Sequence, residues 1–217
     1  MGRKRSRMAL VALLALALSA TAAIATGGQV AAAKKGSSGT ARTFKNGQSS
    51  VIPDRPIGNL TFVGVLDSTI RVGKAMKGKL VGDVDVSIRA THPDLDDLDF
   101  YLIAPNGAKV FLTGNHDGVA NAATSYGTGN ADCSGAMTTF SDETANFISD
   151  ATAATPIEPN QILSPWAATV QPEGFPLSVL DGGKARGIWT LRAEDFVNGD
   201  SGTLNCWKLR IKPRNPS

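Results

Sequence analysis

Few side chains in this chain could do acid–base, nucleophilic or metal chemistry. There are two histidines, His92 and His116. His92 precedes a proline in a Thr-His-Pro stretch, and His116 sits in Gly114-Asn115-His116-Asp117-Gly118, a turn composition. A general base needs an oriented nucleophile and a supporting carboxylate. Ser125 and Ser134 are near His116 in sequence, but no Gly-x-Ser-x-Gly elbow surrounds either. Carboxylates are more plentiful. Asp94, Asp96, Asp97 and Asp99 cluster before and into an apolar segment, Asp117 and Asp132 fall in a Gly/Asn-rich stretch, and Asp142-Glu143 follows. Hard cations take six to eight oxygens from flexible acidic loops. The expectation is a calcium site that links Asp94, Asp96 and Asp97 with Asp117 or Asp142. The competing reading is that these side chains cap turns through hydrogen bonds to backbone amides.

Cysteine chemistry is limited to Cys133 and Cys206, 73 positions apart, with no Cys-x-x-Cys pair that would suggest zinc or redox work. A structural disulfide is expected, because the amino terminus reads as an export signal. Arg3, Lys4, Arg5 and Arg7 precede an apolar run from Met8 to Leu18, and small residues follow, with Ala-x-Ala pairs ending at Ala33. An exported protein can oxidise its thiols. The whole chain carries a net charge of +3 over 217 residues, but losing residues 1–33 leaves 18 basic against 19 acidic side chains. A near-neutral balance gives no reason to expect a nucleic-acid partner. No segment after the signal is apolar for long enough to expect a membrane span. A secreted protein is expected.

These residues must be held by elements that read as strands. Residues 34–49 are mostly Lys, Gly, Ser, Thr and Ala with a lone Phe44, a flexible-linker composition. Over 79–90, Leu80, Val84, Val86, Ile88 and Ala90 alternate with Asp83, Asp85, Ser87 and Arg89, which predicts a strand with one dry and one wet face. Residues 98–104 and 108–113 flank Pro105-Asn106-Gly107 and read as a hairpin. Trp189, Leu191 and Ala193 alternate with polar neighbours, as do Trp207, Leu209 and Ile211, with a slip near Cys206 that suggests a bulge. Both tryptophans are expected in the core; Trp166, after Ser164-Pro165, is the better candidate for exposure. Between 114 and 186 the pattern is weak, and no long amphipathic helix is visible. The expectation is an all-β, antiparallel sandwich.

Thr91-His92-Pro93-Asp94-Leu95-Asp96-Asp97-Leu98, then Leu102-Ile103-Ala104-Pro105-Asn106-Gly107, resembles the core of the P domain (P/Homo B domain) that follows the catalytic domain of subtilisin-like proprotein convertases. Gly187-Ile188-Trp189-Thr190-Leu191-Arg192-Ala193-Glu194-Asp195, Asp200-Ser201-Gly202-Thr203-Leu204 and Trp207-Lys208-Leu209 resemble its closing strands. Thr139-Phe140-Ser141-Asp142-Glu143 and Val51-Ile52-Pro53-Asp54 resemble two further stretches. The resemblance runs over 50–213, leaving 214–217 as a tail. It implies a jelly-roll sandwich of the galactose-binding-like type and a structural role for the Thr-His-Pro stretch. It also implies a non-catalytic module that packs on and stabilises a subtilisin-like protease or another secreted protein, since the family's catalytic domain is a separate unit of roughly 250 residues or more. The alternatives are a carbohydrate or surface-ligand module, by analogy of fold, and a serine endopeptidase in its own right.

Overall fold

In the computed structural model, residues 38–58, 62–114, 125–128, 133–148, 161–162 and 167–216 are described. The expected signal peptide, His116, Asp117, Asp132 and Trp166 lie outside the described residues.

The strands in chain order are β1 (Arg42–Asn46), β2 (Ser50–Ile52), β3 (Gly64–Val72), β4 (Leu80–Thr91), β5 (Leu98–Ile103) and β6 (Lys109–Gly114). Five short ones follow: β7 (Ser125–Tyr126), β8 (Thr138–Phe140), β9 (Phe147–Ile148), β10 (Gln161–Ile162) and β11 (Thr169–Val170). The last two are the long β12 (Gly187–Asp195) and β13 (Gly202–Arg214). They build a β-sandwich. One sheet runs β1-β13-β4-β8-β11, with β2 also on β13 and β7 on β4, and the other runs β3-β12-β5-β6. Most pairings are antiparallel; β8 with β11 and β9 with β10 are parallel.

Alternation explains the long strands. Val84, Val86 and Ile88 of β4 face the core with Trp207, Leu209 and Ile211 of β13, opposite Phe100, Leu102, Trp189 and Leu191 of the second sheet. Burying each such side chain contributes roughly 1.5–3 kcal/mol. Both core tryptophans find acceptors for their indole N–H, as buried indoles must. Trp189 donates to Ala185 O at 3.0 Å, and Trp207 donates across the sandwich to Ser68 Oγ at 3.0 Å. The expected hairpin is present: β5 pairs with β6, and Gly107 takes φ +86° in the turn, a conformation that glycine adopts without a Cβ clash. The expected slip is a register shift between Leu204 and Cys206, so that Cys206 and Trp207 are both buried.

Two expectations are corrected. Residues 42–46, read as linker, form β1, paired along its length with β13 from Ile211 to Trp207. Its side chains are mostly polar and exposed, so the composition resembles a tether; the strand exists because β13 offers it a row of backbone donors and acceptors. The outer face of β4 is only partly wet: Asp85 and Arg89 are 9% and 8% exposed. Arg89 pairs in register with Cys206, beside the Cys133–Cys206 disulfide, whose Cα atoms are 5.4 Å apart. The segment around Gly127 also folds close against Ile88.

Candidate functional site

The Thr-His-Pro stretch leaves β4 and enters a 3₁₀ turn at Leu95–Asp97. Asp94 caps that turn: its Oδ1 accepts from Asp96 N at 3.1 Å. His92 is 2% exposed. Its Nδ1 lies against the Asp94 carbonyl and accepts from Asp94 N at 3.1 Å, and its Nε2 is 3.2 Å from Asp195 Oδ2 and 3.7 Å from Asp200 Oδ1. Burial pushes the imidazole towards the neutral form. Asp195, the Asp94 carbonyl and Asp200 outweigh that push and raise its pKa above the ordinary histidine value. Asp97, in the same group, is pushed up to about 6, first by burial and then by Asp94, with His92 pulling the other way.

The cluster holds the loop between β12 and β13. Asp195 Oδ1 accepts from Val197 N at 3.2 Å, and the Asp97 carbonyl accepts from Phe196 N at 2.9 Å. On the other side of the loop, Arg55 Nη1 donates to the Phe196 carbonyl at 2.8 Å, Asn198 donates to the Arg55 carbonyl, and Asp54 accepts from Gly199 N. Gly202 closes the packing. A β-carbon there would lie 2.6 Å from His92 Cδ2 and 2.9 Å from the Thr91 carbonyl. Gly202→Ala is therefore expected to cost about 1–3 kcal/mol of stability, the usual range for overpacking, measurable by urea denaturation.

The brace presents an unusual surface. Phe196 and Val197 are 37% and 48% exposed, Ile57 86%, Phe62 59% and Val65 41%. All belong to the Gly64/Asp195 end of the β3–β12 pair or to the loops fixed to it. A rim of charged and hydrogen-bonding side chains (Asp54, Arg55, Asn198, Asp200) surrounds them. Other exposed apolar side chains, Phe147, Phe175, Val179 and Ile188, lie elsewhere, and a polar-rimmed apolar group of this kind is a common form of interaction surface.

Of the expected calcium ligands, Asp94 and Asp142 each accept backbone amides in separate turns. Asp94 is spent on its cap. Asp142 accepts from Leu177 N at 2.8 Å and Ser178 N at 2.7 Å, capping the 3₁₀ turn at Leu177–Leu180. Asp117 lies outside the described residues. Among the described residues, two other groups bring three metal-ligand atoms within 4.8 Å of one another: His92, Asp97 and Asp200, and Asp83, Asp85 and Glu143. The first already engages the imidazole with Asp195. In the second, Arg210 supplies the positive charge, 2.5 Å from Asp85 and 3.3 Å from Asp83.

Reasoning from sequence placed His92 in the scaffold and the two strand tryptophans in the core. It did not find Asp195, Phe196, Val197, Ile57 or Phe62 as parts of one face. The sequence signal available was the apolar pair Phe196-Val197 directly after the end of β12.

Fold and site together define a two-sheet β-sandwich with exposed apolar side chains beside a buried His92–Asp195 pair. No protein-family model matches the chain, and no curated protein matches it. Among solved structures, a chain in the complex of an Aeromonas sobria serine protease with a chaperone is similar at 15% identity and a TM-score of 0.39. The match covers 81% of this chain and 28% of that one. A crystal structure of the serine protease of Aeromonas sobria is similar at 12% identity and a TM-score of 0.35, over 79% and 27% of the two chains. This chain spans less than a third of the length of either.

Proposed function

We propose that this chain is a secreted, non-catalytic binding module of the P/Homo B type, which docks through its apolar end onto a secreted protein and stabilises it. A subtilisin-like protease is the first candidate partner. The observation that carries the reading is the exposed apolar group Ile57, Phe62, Val65, Phe196 and Val197, with Phe196 and Val197 held by hydrogen bonds to Arg55 and Asp195. The resemblance of residues 50–213 to P domains, which pack on a protease domain, supplies the partner class. His92 favours binding over hydrolysis, because a 2%-exposed imidazole with both nitrogens engaged has no access to a substrate.

The carbohydrate reading has less support. Trp189 and Trp207 are fully buried and offer no platform on which a sugar could stack, while Trp166 lies outside the described residues.

The test is to mix the full chain with a subtilisin-like protease of the same organism and follow thermal inactivation of the protease. Slower inactivation is expected, with the protection lost in Ile57→Asp/Phe196→Asp while the melting temperature of the variant stays within a few degrees of the parent. An unprotected protease, or protection that survives in the variant, would overturn the docking face. Turnover of fluorogenic peptides by the chain alone, with labelling by a serine-directed probe beyond a denatured control, would return the reading to a hydrolase. Calcium held by the acidic turn at 94–97 with Asp117 or Asp142 belongs to the same proposal, and equal melting midpoints in calcium and in chelator would remove it.

A further inference from the structure

The opposite end of the same strand pair carries a second site. β3 and β12 are nine residues long and pair from Gly64 with Asp195 to Val72 with Gly187, so their two ends are about 30 Å apart. At the Val72/Gly187 end lies a cleft of about 630 Å³. Its lining includes Arg71, Lys79, Lys184 and Arg186, and no aspartate, glutamate or aromatic residue. Three of the four cations, Arg71, Lys184 and Arg186, are exposed and make no ion pair or side-chain hydrogen bond with a described residue. Lys79 donates to Asn215 Oδ1. Between the cations the lining is apolar or bare backbone: Val72, Leu80, Pro216 and glycines 73, 78 and 187.

The walls are preformed. Ala185 N donates to the Lys79 carbonyl at 3.1 Å, Val81 N to Gly183 O at 2.8 Å, and Gly182 N to Val81 O at 2.9 Å. The Ala185 carbonyl holds the buried Trp189 indole, which ties the floor to the core. A preformed cavity of this size with a few convergent charged groups is the usual form of a ligand site. Four like charges around one cavity, without a carboxylate among the lining residues, repel one another and are relieved by an anion. The lining has no ring on which a sugar could stack. Side-chain-free glycine backbone and a short apolar floor instead suit an extended chain.

We propose that this cleft binds an acidic peptide segment, with carboxylates meeting Arg71, Lys184 and Arg186 and a small apolar side chain resting on Leu80 and Pro216. The proposal stands apart from the docking end and does not depend on a protease partner.

The test uses the full chain and three fluorescent probes read by polarisation: a hexapeptide of alternating Glu and Val, its Gln counterpart, and a sulfated heparin fragment. Saturable binding of the Glu peptide is expected, weakening as salt is raised, with no binding of the Gln peptide. Lys184→Glu/Arg186→Glu should weaken it about tenfold or more. These residues are exposed, so the melting temperature serves as the folding control. Ile57→Asp/Phe196→Asp should bind the Glu peptide unchanged, which separates this site from the docking end. Absence of saturable Glu-peptide binding, equal binding by the charge-reversed variant, or binding of the sulfated fragment alone would each overturn the proposal.

Discussion

Replacing Cys133 and Cys206 together by alanine is expected to lower unfolding free energy by about 4 kcal/mol, the chain-entropy value for a link closing this length of chain. The pair is 73 positions apart, and the folded geometry favours the bond, with Cα atoms at 5.4 Å. The link fastens the loop before β8 to the bulge of β13, the central strand that carries β1, β2 and β4. Cys133 is also the one non-glycine residue with positive φ, 66°, among the described residues. The cross-link thus holds a backbone conformation that the unlinked chain would tend to leave. Guanidinium unfolding of the parent with and without reductant, beside the double alanine variant, measures the effect. A loss below about 1 kcal/mol in both would show that the loop is held by other contacts.

Asp195→Ala is expected to cost about 3–5 kcal/mol, the range for removing one partner of a buried charge pair. Asp195 is fully buried and receives both the His92 Nε2 bond and the Val197 amide. Its loss strands a buried imidazole and frees the loop that displays Phe196 and Val197. Stability and partner protection should therefore fall together in this variant, whereas Ile57→Asp/Phe196→Asp should lose protection alone.

The same cluster sets a pH dependence. Native His92 keeps its proton to higher pH than the unfolded chain does, so its contribution is complete below about pH 6.5 and is lost as pH rises through the raised native pKa. Asp97, near 6 when folded against an ordinary 3.8, has the same sign: its contribution is present below 3.8 and fades towards pH 6. Asp83, pushed to about 6 by burial and by Asp85 and Glu143, adds to that fall. Asp67, held low by Arg192, and Glu143, held low by Ser141, work in the opposite sense as pH falls below the ordinary carboxylate range. The melting temperature is thus expected to decline from pH 4 to neutrality. Above pH 6.5 the slope should flatten in Asp195→Ala. An NMR titration can check the origin directly, because the chain has two histidines and His116→Gln identifies the other signal. A His92 midpoint below 6.5 would contradict the ion-pair account.

Strand patterning determined much of this molecule. Alternation in 79–90, the Pro105-Asn106-Gly107 turn, and the Trp189 and Trp207 strands each carry a local signal strong enough to place β4, β5, β6, β12 and β13, and the doubled apolar pair Cys206-Trp207 marks the bulge. The reason is that side-chain period and turn conformation are properties of a few consecutive residues. β1 was not legible, because its residues are polar and its stability comes from the exposed edge of β13, which is nearly 170 positions away in the chain. The short strands between β7 and β11 were equally hidden, each being two or three residues long and defined by its neighbour rather than by its own pattern.

The His92 cluster and the basic cleft both depended on the tertiary structure for the same reason. Asp195 becomes the anchor of His92 only when β12 lies in the sheet opposite β4, across 103 positions of sequence. Arg71, Lys79, Lys184 and Arg186 are four unremarkable surface cations in the sequence. They become one cleft because β3 and β12 end together and the Lys79–Ala185 backbone bond closes the wall. Residue type and local period could be read from the chain alone. Which charges meet, and whether they meet in the core or around an open cavity, was decided by long-range strand pairing.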